Sequence, residues 1–248
     1  MIIIRTLEEL GKYVNLMRSM FSMPEKFSMY WKEMLRQMDD IGIGSIVIVA
    51  IISFFIGAVT ATQFSYQLAD SFIPFWYIGY IVRDIMIIEL APTISCLVLA
   101  GKVGSNMAAE IGGMRQKEQI DALEIMGVNT ASYLIAPKIL AALFVIPFLI
   151  IFAAFLGIIG GYVVSNFSPY LTPTDYVYGL RQFFIPYNVT LMMIKAVVFS
   201  FILTSVSCYH GYFVKGGSIE LGNASTQAVV MSNILILLAD FMIASLFT

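Results

Sequence analysis

The sequence predicts an all-α integral membrane protein: an N-terminal interfacial amphipathic helix, five transmembrane helices, and a short cytoplasmic helix between spans 2 and 3. Three observations predict it. Of 248 residues, 59% are hydrophobic and only 12% charged, about half the charge of an ordinary soluble domain, and the mean hydropathy is +0.87. Five apolar stretches reach the roughly 20 residues that a membrane-spanning helix needs. Residues 102 to 127, KVGSNMAAEIGGMRQKEQIDALEIMG, form the one long water-compatible segment between two apolar halves.

Residues 1–40 carry six of the fourteen basic residues, Arg5, Lys12, Arg18, Lys26, Lys32 and Arg36. Leu7, Leu10, Val14, Met17 and Phe21 recur at alternating spacings of three and four, which puts them on one helical stripe with charge opposite. An interfacial helix lying on the membrane fits this pattern, and the short distance to the first span favours it over a soluble helix packed on a neighbour. The segment is separated as residues 1–40 from a single membrane domain, 41–248. No apolar core followed by a small-residue cleavage site precedes the first span, so that span is expected to serve as the insertion signal.

No charge occurs from Ile41 to Ala69, and the first span is placed at about 42–65. Asp70, Phe72, Pro74, Phe75, Trp76 and Tyr77 then read as a turn at the far interface, where aromatic residues collect. The second span, about 77–103, contains Arg83 and Asp84, expected to snorkel to that interface, and a deeper Glu89 followed by Pro92. An intramembrane carboxylate is a functional candidate. A structural pair with a cation on another span is the alternative, and Lys195 is the nearest candidate in the sequence.

In the polar segment, Met114 to Met126 reads as a short helix with Lys117 and Asp121 at i,i+4, preceded by Gly112 and Gly113 and closed by Gly127. A charged helix this short, flanked by spans, is a docking surface rather than a domain. The third span covers about 131–164 and carries Gly157, Gly160 and Gly161, a small-residue patch that lets another helix approach closely. NFSPYLTP is a loop, and Asp175 to Arg181 is a short helix capped by Thr172 or Thr174. The fourth span is placed at about 188–212, HGYFVKGGSIELGNAST as a second exposed loop, and the fifth span, with Asp240, at about 224–246.

With the N-terminus inside, eleven Lys and Arg fall on that side and two, Arg83 and Arg181, near the other. The N-terminus and polar segment are therefore expected in the cytoplasm and the C-terminus outside. A net charge of −2, from 14 basic and 16 acidic residues, offers no field for nucleic acid. Cys96 and Cys208 lie in apolar runs, and the single His210 excludes a site needing two histidines, so neither disulfide nor metal is expected. The chain contains no G-x-x-x-x-G-K-[ST] loop, so any ATP and magnesium belong to another subunit.

Residues 89–129, ELAPTISCLVLAGKVGSNMAAEIGGMRQKEQIDALEIMGVN, resemble the signature of the MlaE (YrbE) family, permease subunits of Mce-type ABC lipid transporters. The similar positions include Glu89, Leu90, Pro92, Ala100, Gly101, Gly104, Ser105, Ala109, Glu110, Ile111, Gly112, Met114, Glu118, Gln119, Leu123, Glu124 and Met126. FFIGAVTATQFSYQL with Gln63, and GGSIELGNASTQAVVMS at 216–232, resemble two further family segments in order. Two positions depart: Ile88 stands where the family often has Arg, and Ala91 where Gly is usual.

The resemblance implies a non-catalytic permease in a bacterial inner membrane, moving phospholipid or a related lipid between that membrane and the outer envelope. It implies a homodimer with a lipid cavity at its interface, a cytoplasmic ABC ATPase docked on the helix between spans 2 and 3, and Mce-domain lipid-binding proteins outside. Candidate cavity residues are Gln63, Phe64, Tyr66, Glu89 and Leu90. Candidate coupling residues, on a helix at about 110–127, are Glu110, Gly112, Met114, Arg115, Glu118, Gln119, Asp121, Leu123 and Glu124.

Two other classes compete. A stand-alone ion-coupled secondary transporter would use Asp84, Glu89, Lys195 and Asp240 as a proton path, but five spans do not divide into two equal halves. An intramembrane aspartyl protease would pair Asp84 with Asp240, yet no Tyr precedes Asp84 and no Gly of the usual kind adjoins Asp240. Co-purification with an ATPase separates the permease from both.

Overall fold

The computed structural model describes residues 2–20, 27–69 and 72–247, with side chains from 7–20, 30–69 and 72–247. Phe21, Lys26 and Asp70, and the side chain of Arg5, lie outside the described residues. Every regular element described is helical: α1 (Ile2–Met20), α2 (Phe27–Leu68), α3 (Tyr77–Gln116), α4 (Gln119–Ile125), α5 (Ala131–Ser165), α6 (Pro173–Arg181), α7 (Pro186–Tyr212) and α8 (Ser218–Phe247). The protein is thus an all-α chain, and among the described residues five helices, α2, α3, α5, α7 and α8, are long and apolar enough to cross a membrane.

Element ends differ from the sequence-based expectation in three places. The helix of the first span begins at Phe27 and runs unbroken to Leu68, so the division at residue 40 falls inside a helix. No Gly or Pro lies between Phe27 and Ile41 to stop it, and Glu33 pairs at helical spacing with the charged Arg36 and the neutral amide of Gln37. The second exposed loop shrinks to a few residues, because α8 already starts at Ser218, where the Glu220 carboxylate accepts from the Gly217 N–H at 2.9 Å. The polar helix expected over Met114 to Met126 is two helices: α3 continues through Gly112 and Gly113 to Gln116, and Glu118 adopts a left-handed φ of 57° before α4.

α2 and α5 form the tightest contact in the bundle. A Cβ on Gly57 would stand 1.8 Å from the Gly157 carbonyl oxygen, and one on Gly160 2.1 Å from that of Phe54. Small residues let backbones meet where lipid offers no hydrophobic drive for association. Gly161 leaves room for the ring of Tyr176, whose hydroxyl donates to the Ile158 carbonyl at 3.0 Å. Gly79 and Gly179 bring α3 and α6 together in the same reciprocal way. Thr172 is the residue that caps α6, accepting from the Asp175 N–H at 3.1 Å.

Two cores result. The larger lies between the spans, from Met34 through Met86, Ile146 and Phe199 to Ile243. The smaller, at the N-terminal end of the bundle, joins Leu16 and Met20 of α1 to Ile111, Ile120, Ile135, Ile139 and Cys208. α1 is further tied to α7 by Tyr13 donating to Ser205 at 2.8 Å and Tyr209 donating to the Glu9 carboxylate at 2.7 Å. Leu7, Leu10 and Val14 of the predicted apolar stripe remain exposed beside this packed face.

Candidate functional site

Toward the end of the bundle opposite the N-terminus, three helices converge on one buried ammonium. Lys195 of α7 is 0% exposed, and its Nζ lies 2.7 Å from a Glu89 oxygen of α3 and 2.7 Å from an Asp240 oxygen of α8. Thr93 Oγ1 donates to the second Asp240 oxygen at 2.9 Å. A lone charge facing acyl chains costs about 3 kcal/mol on insertion scales, so mutual pairing is what admits all three groups. The backbone assists: Met86–Leu90 is a π turn in which the Ala91 N–H reaches back to the Met86 carbonyl, just before Pro92. Such turns break helical register locally and are frequent at functional positions. Glu89 keeps 42% of its side chain exposed while Lys195 has none, so the cluster has one open side, at Glu89.

Arg83 does not snorkel. It is buried, donates to Asp84 at 2.8 Å, and its guanidinium caps the carbonyls of Leu180, Gln182 and Phe183 at 2.7, 2.8 and 3.2 Å. Those carbonyls end α6 and have no helical partner of their own, and Phe183 holds a left-handed φ of 48°. A fork of five donors suits three converging acceptors, and this assignment separates Arg83 from Glu89. With Ile88 in place of an Arg, Lys195 is the cation that meets Glu89.

The first-span candidates stand apart from this cluster. Gln63 and Tyr66 are exposed, whereas Phe64 and Leu90 pack partly into the main core. Tyr66 meets Tyr170 edge to face at 6.1 Å and borders a crevice of about 270 Å³ with Thr62, Ser65 and Phe167. Of the candidate walls, Gln63 and Tyr66 face outward.

The polar segment is held by its own charges. Arg115 reaches Asp121 at 2.8 Å and Glu124 at 3.8 Å, and its guanidinium lies over Tyr212. The Tyr212 hydroxyl donates to Glu124 at 2.9 Å and meets Thr130 at 2.8 Å. Gly127, at φ 82°, lets the Gly127 and Val128 amides bond back to Glu124 and Leu123, closing α4 with a Schellman turn. Glu110 is turned inward to Lys138 at 2.5 Å, and a Cβ on Gly112 would stand 2.4 Å from Leu221, so both serve packing between helices. Lys117 and Asp121 do not share a helix, because the left-handed turn at Glu118 intervenes.

What faces outward is narrower than the nine candidates. Of the nine, Glu118, Gln119 and Glu124 are exposed, beside Lys117, Ala122, Ile125 and Met126, with Ile125 at 87%. Ile120 is the opposite face, fully buried, with Met114 partly buried in the same small core. Ile120→Ala is expected to cost about 2–5 kcal/mol locally, read as loss of hydrogen-exchange protection over residues 119–126 with the spans unaffected. Ile125 and Met126 were missed by reading charge alone. The signal was present, since Ile120 and Leu123 already account for the inward stripe and leave Ile125 unplaced. Asp240 likewise follows Ala228, Ser232 and Ile236 at steps of four, which puts it on the buried stripe of α8. Among the described residues no group of three His, Cys, Asp or Glu is placed to hold a metal ion.

Comparison with known proteins bears on this arrangement. A sequence model described as "Permease MlaE" matches residues 34–246. A probable ABC transporter permease protein of Rickettsia bellii is 36% identical over 249 residues, covering 98% of this chain and 94% of its own. The chloroplastic protein TRIGALACTOSYLDIACYLGLYCEROL 1 of Arabidopsis thaliana is 31% identical, covering 90% of this chain and 63% of its own. The intermembrane phospholipid transport system permease protein MlaE of Haemophilus influenzae is 29% identical, covering 86% and 82%.

Proposed function

The chain belongs to the permease MlaE family, and from that membership we propose that it is the non-catalytic membrane subunit of an ABC transporter moving phospholipid or a related lipid between a bacterial inner membrane and the outer envelope. The observation that carries the reading is the turn at Glu118. It sets α4 across the end of α3 with Ile125 and Met126 outward, while Ile120 and the Arg115 pairs anchor it to the bundle. A short, rigidly mounted helix with an exposed apolar tip and flanking charge fits a groove in a partner. That partner is the ATPase, which holds the ATP and magnesium.

Most of the described basic residues outside the apolar runs lie at this same end, among them Lys12, Arg18, Arg36, Lys117 and Lys215, with Arg181 at the other, which supports a cytoplasmic N-terminus and a periplasmic C-terminus. Second copies of the chain would complete the lipid path: α8 exposes Leu238, Phe241 and Met242, and the candidates Gln63 and Tyr66 face outward. Mce-domain proteins would receive lipid at the opposite end.

The test is Glu118→Lys combined with Gln119→Lys, two exposed positions outside the Arg115 network. Asp121→Lys is unsuitable because it breaks the pair with Arg115. Co-purified ATPase is expected to fall at least about tenfold, about 1.4 kcal/mol, with the melting temperature of the permease unchanged. Stoichiometric ATPase of normal activity in that variant would refute the docking assignment.

A further inference from the structure

At the N-terminal end of the bundle, α2 and α3, with Ser225 of α8, border an open cavity of about 620 Å³ that none of the candidate residues above explains. Its chemistry is mixed. Lys102 supplies an ammonium, Asp40 a carboxylate, Gln37 and Asn106 amides, and Ser45 a hydroxyl, above a floor that includes Ile41, Val103 and Met107. Ser45 is 0% exposed, and its hydroxyl has no hydrogen-bond partner among the described residues. A buried hydroxyl without a partner is uncommon, because desolvating it costs free energy that a hydrogen bond ordinarily returns. Lys102 donates to the Gly44 carbonyl, which uses one of its three protons and leaves two for a ligand.

The depth of the cavity narrows the ligand. Asp40 is the last charge before the uncharged run that begins at Ile41, so the cavity straddles the boundary between the polar end and the hydrocarbon level. An ammonium and an exposed carboxylate on opposite elements match a phosphodiester that carries its own amine. The phosphate would sit at Lys102, the amine at Asp40, and the glycerol and first methylenes over Ile41 and Met107. A purely anionic headgroup would leave Asp40 repelling it.

We propose that this cavity binds the headgroup of an aminophospholipid from the leaflet at the N-terminal end. The site is separate from the Glu89 cluster and from the crevice at Tyr66. The proposal rests on the reading of the chain as a lipid permease, and ATPase co-purification in the same preparations reports on that reading independently.

The test reconstitutes the protein in nanodiscs of phosphatidylcholine containing either phosphatidylethanolamine or phosphatidylglycerol, followed by mild extraction and quantification of retained lipid per chain. Wild type should retain phosphatidylethanolamine preferentially. Asp40→Asn should abolish that preference, while Lys102→Met should lower retention of both lipids about tenfold, with rescue by Lys102→Arg. Ala109→Trp, which fills the cavity and removes no polar group, should act like Lys102→Met at unchanged melting temperature. Equal retention in wild type and all variants would overturn the proposal. So would displacement of the lipid by inorganic phosphate or soluble phosphoethanolamine at equimolar concentration, which would mark a free-anion site. Shielding of Asn106→Cys from a thiol reagent in lipid-free dimers would instead assign the cavity to contact between copies, and would also overturn it.

Discussion

Lys195→Met is expected to destabilise the folded protein by about 3–5 kcal/mol, because it leaves two carboxylates inside the bundle with no cation. Lys195 is the hub: Glu89 and Asp240 each lie 2.7 Å from its ammonium, on helices that it joins. α8 depends on this most, since only Ala228, Ser232, Ile236 and Ile243 of its thirty residues are buried. The triple variant Glu89→Gln, Lys195→Met, Asp240→Asn should recover much of the loss, as neutral groups of similar shape remove the uncompensated charge. Glu89→Gln alone should cost less, because Lys195 keeps Asp240 and Glu89 is already half-exposed. Denaturant unfolding in detergent ranks the three. Bound phospholipid measured on the Glu89→Gln preparation then separates a structural from a functional role: a lower melting point with unchanged lipid assigns it to structure, and altered lipid at unchanged melting point assigns it to function.

Gly57→Leu is expected to prevent the native bundle from forming. Even the first added carbon would stand 1.8 Å from the Gly157 oxygen, and that contact is backbone against backbone, with no side chain able to move aside. Overpacking in a yielding core costs about 1–3 kcal/mol, and a rigid helix pair should exceed it. The matching control is Gly222→Ala in α8, where an added Cβ meets nothing within 4 Å, and which should be neutral or gain up to about 1 kcal/mol from helix propensity. Yield of monodisperse protein after detergent extraction distinguishes them: normal yield for Gly57→Leu would show that the α2–α5 contact is dispensable.

The sequence by itself determined the five spans, the small-residue face at Gly157 and Gly160, a threonine cap at Thr172 or Thr174, between which the structure chose Thr172, and the turn at Gly127. Each of these follows from local properties: the length of an apolar run, the absence of a side chain, the reach of a hydroxyl to an amide three residues on. The sequence also put Glu89 in the membrane and named Lys195 as its nearest candidate, 106 residues away. Only the tertiary structure decided that the pair is a cluster with Asp240 and Thr93, because that depends on how α3, α7 and α8 rotate about their axes. The same holds for Arg83, whose acceptors are the carbonyls that end α6 about a hundred residues on. The break at Glu118 had no local signal, since a glutamate rarely takes φ 57°; what holds it there is Ile120 buried below and Arg115 drawn to Asp121 across the turn. Which residues of α4 face a partner was therefore settled by packing, and charge in the sequence pointed to several that the bundle had already used.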